Sequence, residues 1–355
     1  MWLCSPNGVT VGRARARFAA GPWLGGLGFD LVQQAARDPK CFASIASSPL
    51  LPAPPLCLIR PVHWQKITLV GIGLLGGSLG LVARQCRLSD RVEGFVRRAA
   101  SVTECEQLGI VDHATLDLSA AVRDADLVIL CTPLAQMRGL VEKMLPALKS
   151  GVVVTDVGSV KGRVVQELEP LVTQAGGHFV GSHPMAGAEK TGASAGRADL
   201  FQDAVCVVTP TANSNADAVQ RVEEFWTAIG ARTLRLTPEA HDVLVSRTSH
   251  LPHFVAATLA NLVLDPASPK DQPALCANGF RDTTRIASGS PEMWRDIALA
   301  NRENLSQSID ALIERLRALQ RAIEGQHADA ISEFLAQAKQ RRDEWCAQNA
   351  SASPE

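Results

Sequence analysis

The spacing of hydrophobic residues along the chain changes near residue 210. From about residue 65 to 210, short apolar runs rich in β-branched residues alternate with stretches of helical spacing, and beyond residue 210 the helical spacing dominates. Alternating buried strands and helices are typical of a parallel sheet that helices cover on both faces. The pattern therefore predicts an α/β domain over residues 64–212 and an all-α domain over residues 213–348.

A glycine-rich turn follows the first predicted strand. Residues 66–70 form the apolar run, Gly71, Gly73 and Gly76 come next, and residues 79–86 have a helical pattern. Glycines at this spacing let the chain turn, let a diphosphate approach the backbone and let the helix pack on the strand. We therefore expect a dinucleotide-binding, Rossmann-type domain with these glycines at the cofactor. The alternative is a glycine-rich turn in an ordinary α/β domain.

The end of the second predicted strand bears on the choice of cofactor. Residues 92–96 form this strand, and a fold that binds NAD places Asp or Glu at its end to hold the ribose 2′-hydroxyl. This chain has Val96 there, followed by Arg97 and Arg98. Because guanidinium groups bind phosphate and no carboxylate repels it, the sequence favours NADP, with NAD possible. The alternative is a pair of solvated loop arginines.

Two more predicted strands end in polar turns. The strand over residues 125–131 is followed by Thr132 and Pro133, which we expect at the cofactor, and the strand over residues 151–155 is followed by a turn that contains Ser159. Doubly wound sheets bind their ligands at the carboxyl ends of the strands. Ser159 is therefore a candidate for hydrogen bonding to a substrate, and capping of a helix is its alternative role.

His183 is the candidate catalytic residue of this domain. It follows a short apolar strand over residues 178–181 and lies among the small, turn-forming residues of the stretch 181–192. Such a loop holds the backbone while an imidazole that titrates near neutral pH faces a cleft. From this stretch alone, a loop histidine without a catalytic task is an equally good interpretation. The domain should close at Pro210, after a last strand over residues 204–209.

The predicted helical domain contains further histidines. Thr237 should begin a helix as its N-cap, and His250 and His253 flank Pro252, which should kink the helix. No nearby cysteine or glutamate completes a set of metal ligands, so we predict no metal site. One of the two histidines is expected to contact the substrate and the other to pack beside it.

Two arginines form the third candidate group. Residues 279–285 are predicted to form a polar turn that carries Arg281 and Arg285 between apolar segments. An arginine in such a place is costly unless it meets an anion, so the turn suits a substrate carboxylate. The alternative is an internal ion pair with Asp282 or Glu292.

A narrow apolar seam runs along a long predicted helix that Ser290 should cap and Gly325 should end. Its members recur at steps of four and three residues: Leu305, Ile309, Leu312, Leu316, Leu319 and Ile323. A shorter helix over residues 328–346 returns. A seam this narrow suits a partner helix, so we predict a homodimer built through this domain. Packing within one subunit is the alternative.

Composition disfavours nucleic acid and membranes as partners and leaves a small-molecule substrate as the expected one. The formal net charge of −1 disfavours nucleic acid, and no apolar run has the roughly 18 residues needed to span a membrane. Nine scattered cysteines without a Cys-x-x-Cys pair indicate a reducing compartment, and we expect a cytoplasmic protein. The chain contains no tyrosine, which excludes the tyrosine proton donor of short-chain dehydrogenases.

The two terminal segments differ from the predicted domains. Residues 1–63 are rich in arginine, poor in acidic residues and end in a proline-rich stretch. This composition is compatible with a disordered extension, an organelle leader or a misassigned translation start. Residues 349–355 should form a short tail.

A set of motifs, taken in order, closely resembles the prephenate/arogenate dehydrogenases of tyrosine biosynthesis. The motifs are VGIGLLGGS (70–78), DVGSVK (156–161), SHPMAG (182–187), SHLPH (249–253), and GFRDTTR (279–285) with MWRD (293–296). The resemblance covers about residues 65–345. It implies a dinucleotide domain, a helical dimerisation domain and a cleft between them. The implied reaction is the oxidative decarboxylation of a cyclohexadienol, with hydride transfer to a nicotinamide.

The resemblance also implies roles for the candidate residues. His183 would be the general base that removes the proton of the ring hydroxyl, and Ser159 would orient that hydroxyl. Arg285 matches the carboxylate-binding arginine of the family, and His253 matches a pocket histidine of its prephenate-using members. Glu189 and Arg281 match polar residues at the pocket entrance.

The substrate is left open between two related compounds. His253 favours prephenate, which gives 4-hydroxyphenylpyruvate, over arogenate, which gives tyrosine. A β-hydroxyacid dehydrogenase or imine reductase would place lysine or aspartate where this chain has His183. A dinucleotide-sensing binding protein would need neither His183 nor Arg285.

Overall fold

Strands and helices alternate through the first part of the computed structural model, which describes residues 62–188 and 190–350. The strands β1 to β8 span Trp64–Val70, Ser89–Phe95, His113–Thr115, Leu127–Leu130, Val153–Asp156, His178–Pro184, Val205–Thr209 and Arg232–Arg235. The helices α1 to α6 span Leu74–Gln85, Ala99–Gln107, Leu118–Val122, Leu134–Met144, Gly162–Gln174 and Ala216–Ala228. The predictions for residues 1–61, for Glu189 and for residues 351–355 lie outside the described residues.

The eight strands form one sheet in the order β3-β2-β1-β4-β5-β6-β7-β8. All neighbouring pairs are parallel except β6 and β7, which are antiparallel. A strand does end at Thr209, as predicted, but the prediction that it is the last strand of the domain is wrong, because β8 pairs with it beyond α6. The sequence of β8, Arg-Thr-Leu-Arg, is exposed along its whole length at the edge of the sheet. An exposed edge strand needs no apolar run, so hydrophobic spacing does not reveal it.

The sheet has a hydrophobic core on each face because successive side chains of a strand point to opposite sides. In β4, Leu127 and Ile129 join one core with Leu79 of α1, while Val128 and Leu130 join the other core. Helix α4 covers the second face with residues that include Met137 and Val141. Burial on both faces explains why the strands were recognisable as continuous apolar runs.

The second part of the chain is helical, which confirms the predicted class of fold. Helices α7 to α12 span Pro238–Val245, Leu251–Val263, Asn278–Thr284, Pro291–Ala300, Arg302–Glu324 and Ala328–Ala350. The side chain of Thr237 caps α7, as predicted. In place of a simple kink at Pro252, a π-helical turn over Ser246–His250 joins α7 to α8, and Pro252 lies in the first turn of α8.

Two predictions about the helical part are corrected by the structure. The segment 279–285 is not a polar turn, because it lies in helix α9 and continues into a 3-10 turn over Arg285–Ser288. The long helix after Ser290 is two helices, α10 and α11, which are separated at the buried Asn301. Ser290 caps α10 and Gly325 ends α11, as predicted.

The apolar seam of α11 is only partly covered within one chain. Leu305 is buried, but Leu316 and Ile323 are 55% and 56% exposed. Helix α12 adds Phe334 and Trp345, of which Trp345 is 59% exposed. Packing within one subunit therefore does not account for the whole seam. Among the described residues, no helix is both long enough and apolar enough to cross a membrane.

Two glycines within helices allow a test of the contact between α1 and the loop that precedes β3. A Cβ atom at Gly80 of α1 would overlap the carbonyl oxygen of Ile110, whereas a Cβ atom at Gly139 of α4 would meet open space. We expect Gly80→Ala to lower the free energy of unfolding by about 1–3 kcal/mol, because the backbone must move apart. Gly139→Ala should raise it by roughly 0.5–1 kcal/mol, since alanine favours a helix. Urea unfolding measures both, and equal effects would contradict the close contact.

Candidate active site

His183 lies at the carboxyl end of the sheet, in a position that strand pairing defines. It is the penultimate residue of β6, pairs with Val207 of β7 and is only 7% exposed. The sequence predicted a loop at this position, and the structure shows that β6 extends to Pro184. The ladder to β7, more than the small residues around it, therefore holds the backbone of His183 in place.

A line of hydrogen bonds runs from His183 into the helical domain. Its Nδ1 lies 2.8 Å from Nε2 of His241, and Nδ1 of His241 lies 2.8 Å from Oδ1 of Asp242. His241 and Asp242 are buried in α7, the first helix of the second domain. The helical domain thus supplies two polar residues directly behind the histidine of the sheet domain.

Asp242 also ties the two domains together. Its Oδ1 accepts a hydrogen bond from the backbone N–H of Lys161, and its Oδ2 accepts one from Gly162, both at 2.8 Å. These N–H groups lie at the start of α5, where a helix has unsatisfied donors and a positive end. The side chain of Asn301 donates to the backbone carbonyl of Asp242 at 2.8 Å. A carboxylate of one domain therefore caps a helix of the other.

A buried ion pair lies beneath the same site. The ammonium group of Lys161 pairs with Oδ2 of Asp156, and both side chains are completely buried. Lys161 also donates to the carbonyl oxygen of Ser182 at 2.8 Å, while Oδ1 of Asp156 accepts the N–H of Ser182 at 3.1 Å. Both polar backbone groups of the residue before His183 are thus held by one ion pair.

Burial keeps the histidines of this cluster neutral. The pKa of His183 is lowered well below its usual value, first by desolvation and then by unfavourable electrostatic interactions with His241, Lys161 and His250. Burial also lowers the pKa of His241, although Asp242 opposes the shift, and it lowers the pKa of His250 to about 4. His183 therefore presents a neutral imidazole, which is the form that accepts a proton.

Two further histidines line the same region. His250 lies beside the backbone of Ser159, and its Nδ1 is 3.3 Å from the side-chain nitrogen of Asn301. The ring of His253 stacks on Trp294 with 3.5 Å between centroids. Nε2 of His250 and Nδ1 of His253 are buried without a hydrogen-bond partner in the described part of the chain. Buried polar atoms without partners are costly, so both suit hydrogen bonds to a bound ligand.

The glycine turn after β1 fits a dinucleotide. Gly71 has a φ of 94°, and a Cβ atom at Gly76 would overlap the Gly71 carbonyl, whereas the space at Gly73 is open. A Cβ atom at Gly71 would overlap the methyl group of Thr132, whose hydroxyl is buried without a partner among the described residues, and Pro133 is the N-cap of α4. An open turn at the positive end of a helix, next to an unpartnered hydroxyl, provides the groups that a diphosphate binds.

The end of β2 has the residues predicted for a phosphate. Val96 is buried, Arg97 and Arg98 are exposed, and Arg98 is the N-cap of α2. Neither arginine side chain has a hydrogen-bond or ion-pair partner among residues 62–188 and 190–350. Both guanidinium groups are therefore available to an anion at this edge of the sheet.

Other predicted substrate residues lie outside the buried cluster. Arg281 is exposed in α9, within hydrogen-bond reach of the Asn278 side chain at 3.4 Å, and Arg285 is exposed at the start of the following 3-10 turn. Both elements pack on α8, which carries His253. In the part of the chain that is described, no group of three or more histidine, cysteine or carboxylate side chains is arranged to hold a metal ion.

Sequence patterns pointed to some of these residues and missed others. His183, Ser159 and the glycines were found from local spacing, but the roles of His241, Asp242, Asp156, Lys161 and Asn301 were not. Two features of the sequence could have indicated them. His241 and Asp242 are adjacent in the first turns of a capped helix, and Asp156 and Lys161 lie on either side of Ser159. A charge in a stretch that must be buried calls for a partner, although the sequence does not say which one.

A dinucleotide turn and a buried neutral histidine at the carboxyl edge of one sheet are features of an oxidoreductase. Two family models match the chain: the nucleotide-binding domain of prephenate dehydrogenase over residues 79–235 and its dimerization domain over residues 237–337. The chain belongs to the prephenate dehydrogenase family and has a nucleotide-binding domain for a nicotinamide dinucleotide. The boundary between the two matches falls after β8, in agreement with the sheet and beyond the predicted residue 212.

Individual relatives are similar over most of the described chain. A cyclohexadienyl dehydrogenase of Zymomonas mobilis is 36% identical over 288 residues, which cover 79% of this chain and 95% of the relative. The crystal structure of prephenate dehydrogenase from A. aeolicus, in complex with hydroxyphenyl propionate and NAD+, is 32% identical, with a TM-score of 0.75 over 79% of this chain and 98% of that one. Synechocystis arogenate dehydrogenase is 30% identical, with a TM-score of 0.69 over 79% and 99%.

The neutral histidines make the stability of the fold depend on pH. Their pKa values are lowered in the folded chain, so below pH 6.5 the unfolded chain binds protons that the folded chain does not. Stability should fall as the pH drops from 6.5 to about 4, and His250 should contribute roughly 3 kcal/mol to the loss. Thermal unfolding across this range measures the slope. His250→Gln should flatten it and His327→Gln, at an exposed position, should not.

Proposed function

We propose that the protein catalyses the NADP-dependent oxidative decarboxylation of prephenate to 4-hydroxyphenylpyruvate. The observation that carries this proposal is the buried, neutral His183 at the carboxyl end of the sheet, between the glycine turn and the helical domain. Family membership narrows the substrate to a cyclohexadienol acid. The unpartnered atoms of His250 and His253 support a polar ligand beside His183.

His183 acts as the general base of the reaction. Its Nε2 takes the proton of the ring C4 hydroxyl while the hydride leaves the same carbon, so the C4–O bond becomes a carbonyl. When bound, the nicotinamide supplies the acceptor for this hydride. The bond from C1 to the ring carboxylate then breaks, carbon dioxide leaves, and the electron pair makes the ring aromatic. The oxygen at C4 takes a proton and becomes the product phenol.

The other site residues hold the substrate in position. Ser159, which lies just before α5, orients the hydroxyl toward His183, and Arg285 binds a substrate carboxylate. His253, whose Nδ1 has no partner in the described chain, bonds to the side chain of prephenate. Arg281 and Glu189 contribute to the pocket entrance.

The cofactor is held by the edge of the sheet domain. Gly71, Gly73 and Gly76 accommodate the diphosphate, with Thr132 and Pro133 beside them. Arg97 and Arg98 bind the 2′-phosphate, because their guanidinium groups are exposed and β2 ends without a carboxylate. This arrangement favours NADP over NAD.

The second domain joins two copies of the chain in a homodimer. The match to a dimerization domain and the exposed apolar side chains of α11 and α12 support this assembly. Leu316, Ile323 and Trp345 would be covered by the partner subunit, which removes a large apolar area from water.

Turnover measurements test the reaction and the base. The purified protein is given prephenate or arogenate with NADP or NAD, and the absorbance of reduced nicotinamide is followed. We expect prephenate with NADP to be the preferred pair, and His183→Asn should lower kcat by about 10²-fold to 10⁴-fold. His178→Asn, on the same strand, is the matched control and should retain activity. Preference for arogenate would correct the substrate, and no reduction with either compound would overturn the proposed function.

A double variant tests the choice of cofactor. Arg97→Ala combined with Arg98→Ala should raise the KM for NADP by about tenfold or more and leave the KM for NAD nearly unchanged, since each lost phosphate contact weakens binding. Arg123→Ala, which changes an exposed arginine just before the amino end of β4, is the control for loss of positive charge. An unaltered ratio of the two KM values would contradict the assignment of the 2′-phosphate.

A further inference from the structure

The line of three side chains behind the base has a defined direction. We propose that Asp242 and His241 form a positioning relay, which holds the proton of His183 on Nδ1, keeps its Nε2 free to accept the substrate proton and stabilises the imidazolium that results. This inference rests on the proposed function for its chemical step. The tautomers that it assigns are properties of the folded protein alone.

The direction of the relay starts at Asp242. Its two oxygens already accept the backbone N–H groups of Lys161 and Gly162, which lie at the positive end of α5. A carboxylate stabilised in this way acts as an acceptor, so His241 donates to it through Nδ1–H. A neutral histidine has one N–H, and Nε2 of His241 is therefore left with its lone pair.

The next hydrogen bond transmits this choice to His183. Because Nε2 of His241 can only accept, His183 must be the donor in the 2.8 Å contact, through its own Nδ1–H. The lone pair of His183 is then on Nε2, on the side of the ring away from the relay. The two rings meet edge to face, at 73°. The carboxylate of Asp242, which the backbone of α5 holds in place, thus sets the tautomer of His183 through His241.

The relay also accounts for how a buried histidine can accept a proton. When Nε2 of His183 takes the proton from the C4 hydroxyl, the O–H bond breaks and the ring carries one positive charge with protons on both nitrogens. His241 accepts from this cation and donates to Asp242, so the new charge meets an aligned chain of dipoles that ends in an anion. His183 keeps the proton that it takes from the hydroxyl, so no proton has to move along the relay to His241 or Asp242.

Because the side chains of the relay are buried, their hydrogen bonds determine which nitrogen atoms are protonated. His241 is fully buried and Asp242 is 5% exposed, so water does not compete readily for their polar atoms. Asn301 fixes the position of Asp242 further, because its side chain donates to the backbone carbonyl of Asp242. The histidine of one domain and its support in the other are therefore aligned only when the two domains pack as described.

The tautomers can be read in the wild-type full-length chain by nitrogen-15 NMR of the imidazole rings. Signals of His183 are assigned by their loss in His183→Asn. We expect His183 and His241 each to be protonated on Nδ1 and unprotonated on Nε2. A proton on Nε2 of neutral His183 would overturn the relay. The measurement needs no substrate, so it decides the relay even if the protein turns over neither prephenate nor arogenate.

Two variants interrupt the relay at different points. In His241→Gln, a side-chain oxygen can still accept from His183 but the link to the carboxylate is lost, so we expect kcat to fall about tenfold to 10²-fold. In Asp242→Asn, the anion at the end of the relay is lost, and an amide nitrogen in place of Oδ1 would donate to His241 and move the proton of His183 to Nε2, with loss of the bond from the Lys161 N–H. We expect a larger loss in kcat, about 10²-fold to 10³-fold, with KM values within about threefold of wild type.

A buried residue of the same segment supplies the control. Ser246→Ala removes a buried hydrogen bond to Ser308, 2.9 Å long, without touching the relay, and should leave kcat nearly unchanged. If all three variants lower kcat equally, or if the relay variants raise KM and leave kcat intact, the role is structural and the relay is refuted. If the Asp242 variant does not fold, the tautomers of wild type and of His241→Gln still decide the question.

Discussion

The geometry of the candidate active site depends on the hydrogen bonds of the Asp242 carboxylate. This carboxylate belongs to the first helix of the helical domain, yet it caps α5 of the sheet domain and contacts His241, which lies directly behind His183. A side chain at Gly162 would lie 2.9 Å from this carboxylate, so the close approach of the two domains depends on glycine there. The packing of the domains and the orientation of His183 are therefore set by the same few hydrogen bonds.

The site is built from groups that reduce stability when considered alone. Four buried histidines with lowered pKa values and a buried Lys161–Asp156 ion pair cost desolvation free energy. The ion pair compensates for its burial by holding both backbone groups of Ser182, and the strand end that carries His183 cannot shift without breaking it. The fixed position of His183 is therefore combined with a fold that should lose stability at low pH.

Local chemistry made part of the structure predictable. The glycine turn, the Thr237 and Ser290 caps and the Gly325 stop each depend on residues within a few positions of one another, and all lie where the sequence placed them. Elements whose form depends on surroundings were missed. Strand β8 is exposed and polar because it is an edge, and the segment 279–285 is helical although its residues resemble a turn.

The sequence by itself determined the class of fold and the glycine turn, because apolar periodicity and glycine spacing act over short stretches of chain, and it offered His183 as the candidate base. It also carried the ordered motifs by which the family is recognised. Only the tertiary structure decided what surrounds His183. His241 is 58 residues away along the chain, and the carboxylate next to it meets α5 across a domain boundary. Contacts of this kind depend on how elements that are distant in sequence pack together, and the spacing of residues along the chain does not specify that packing.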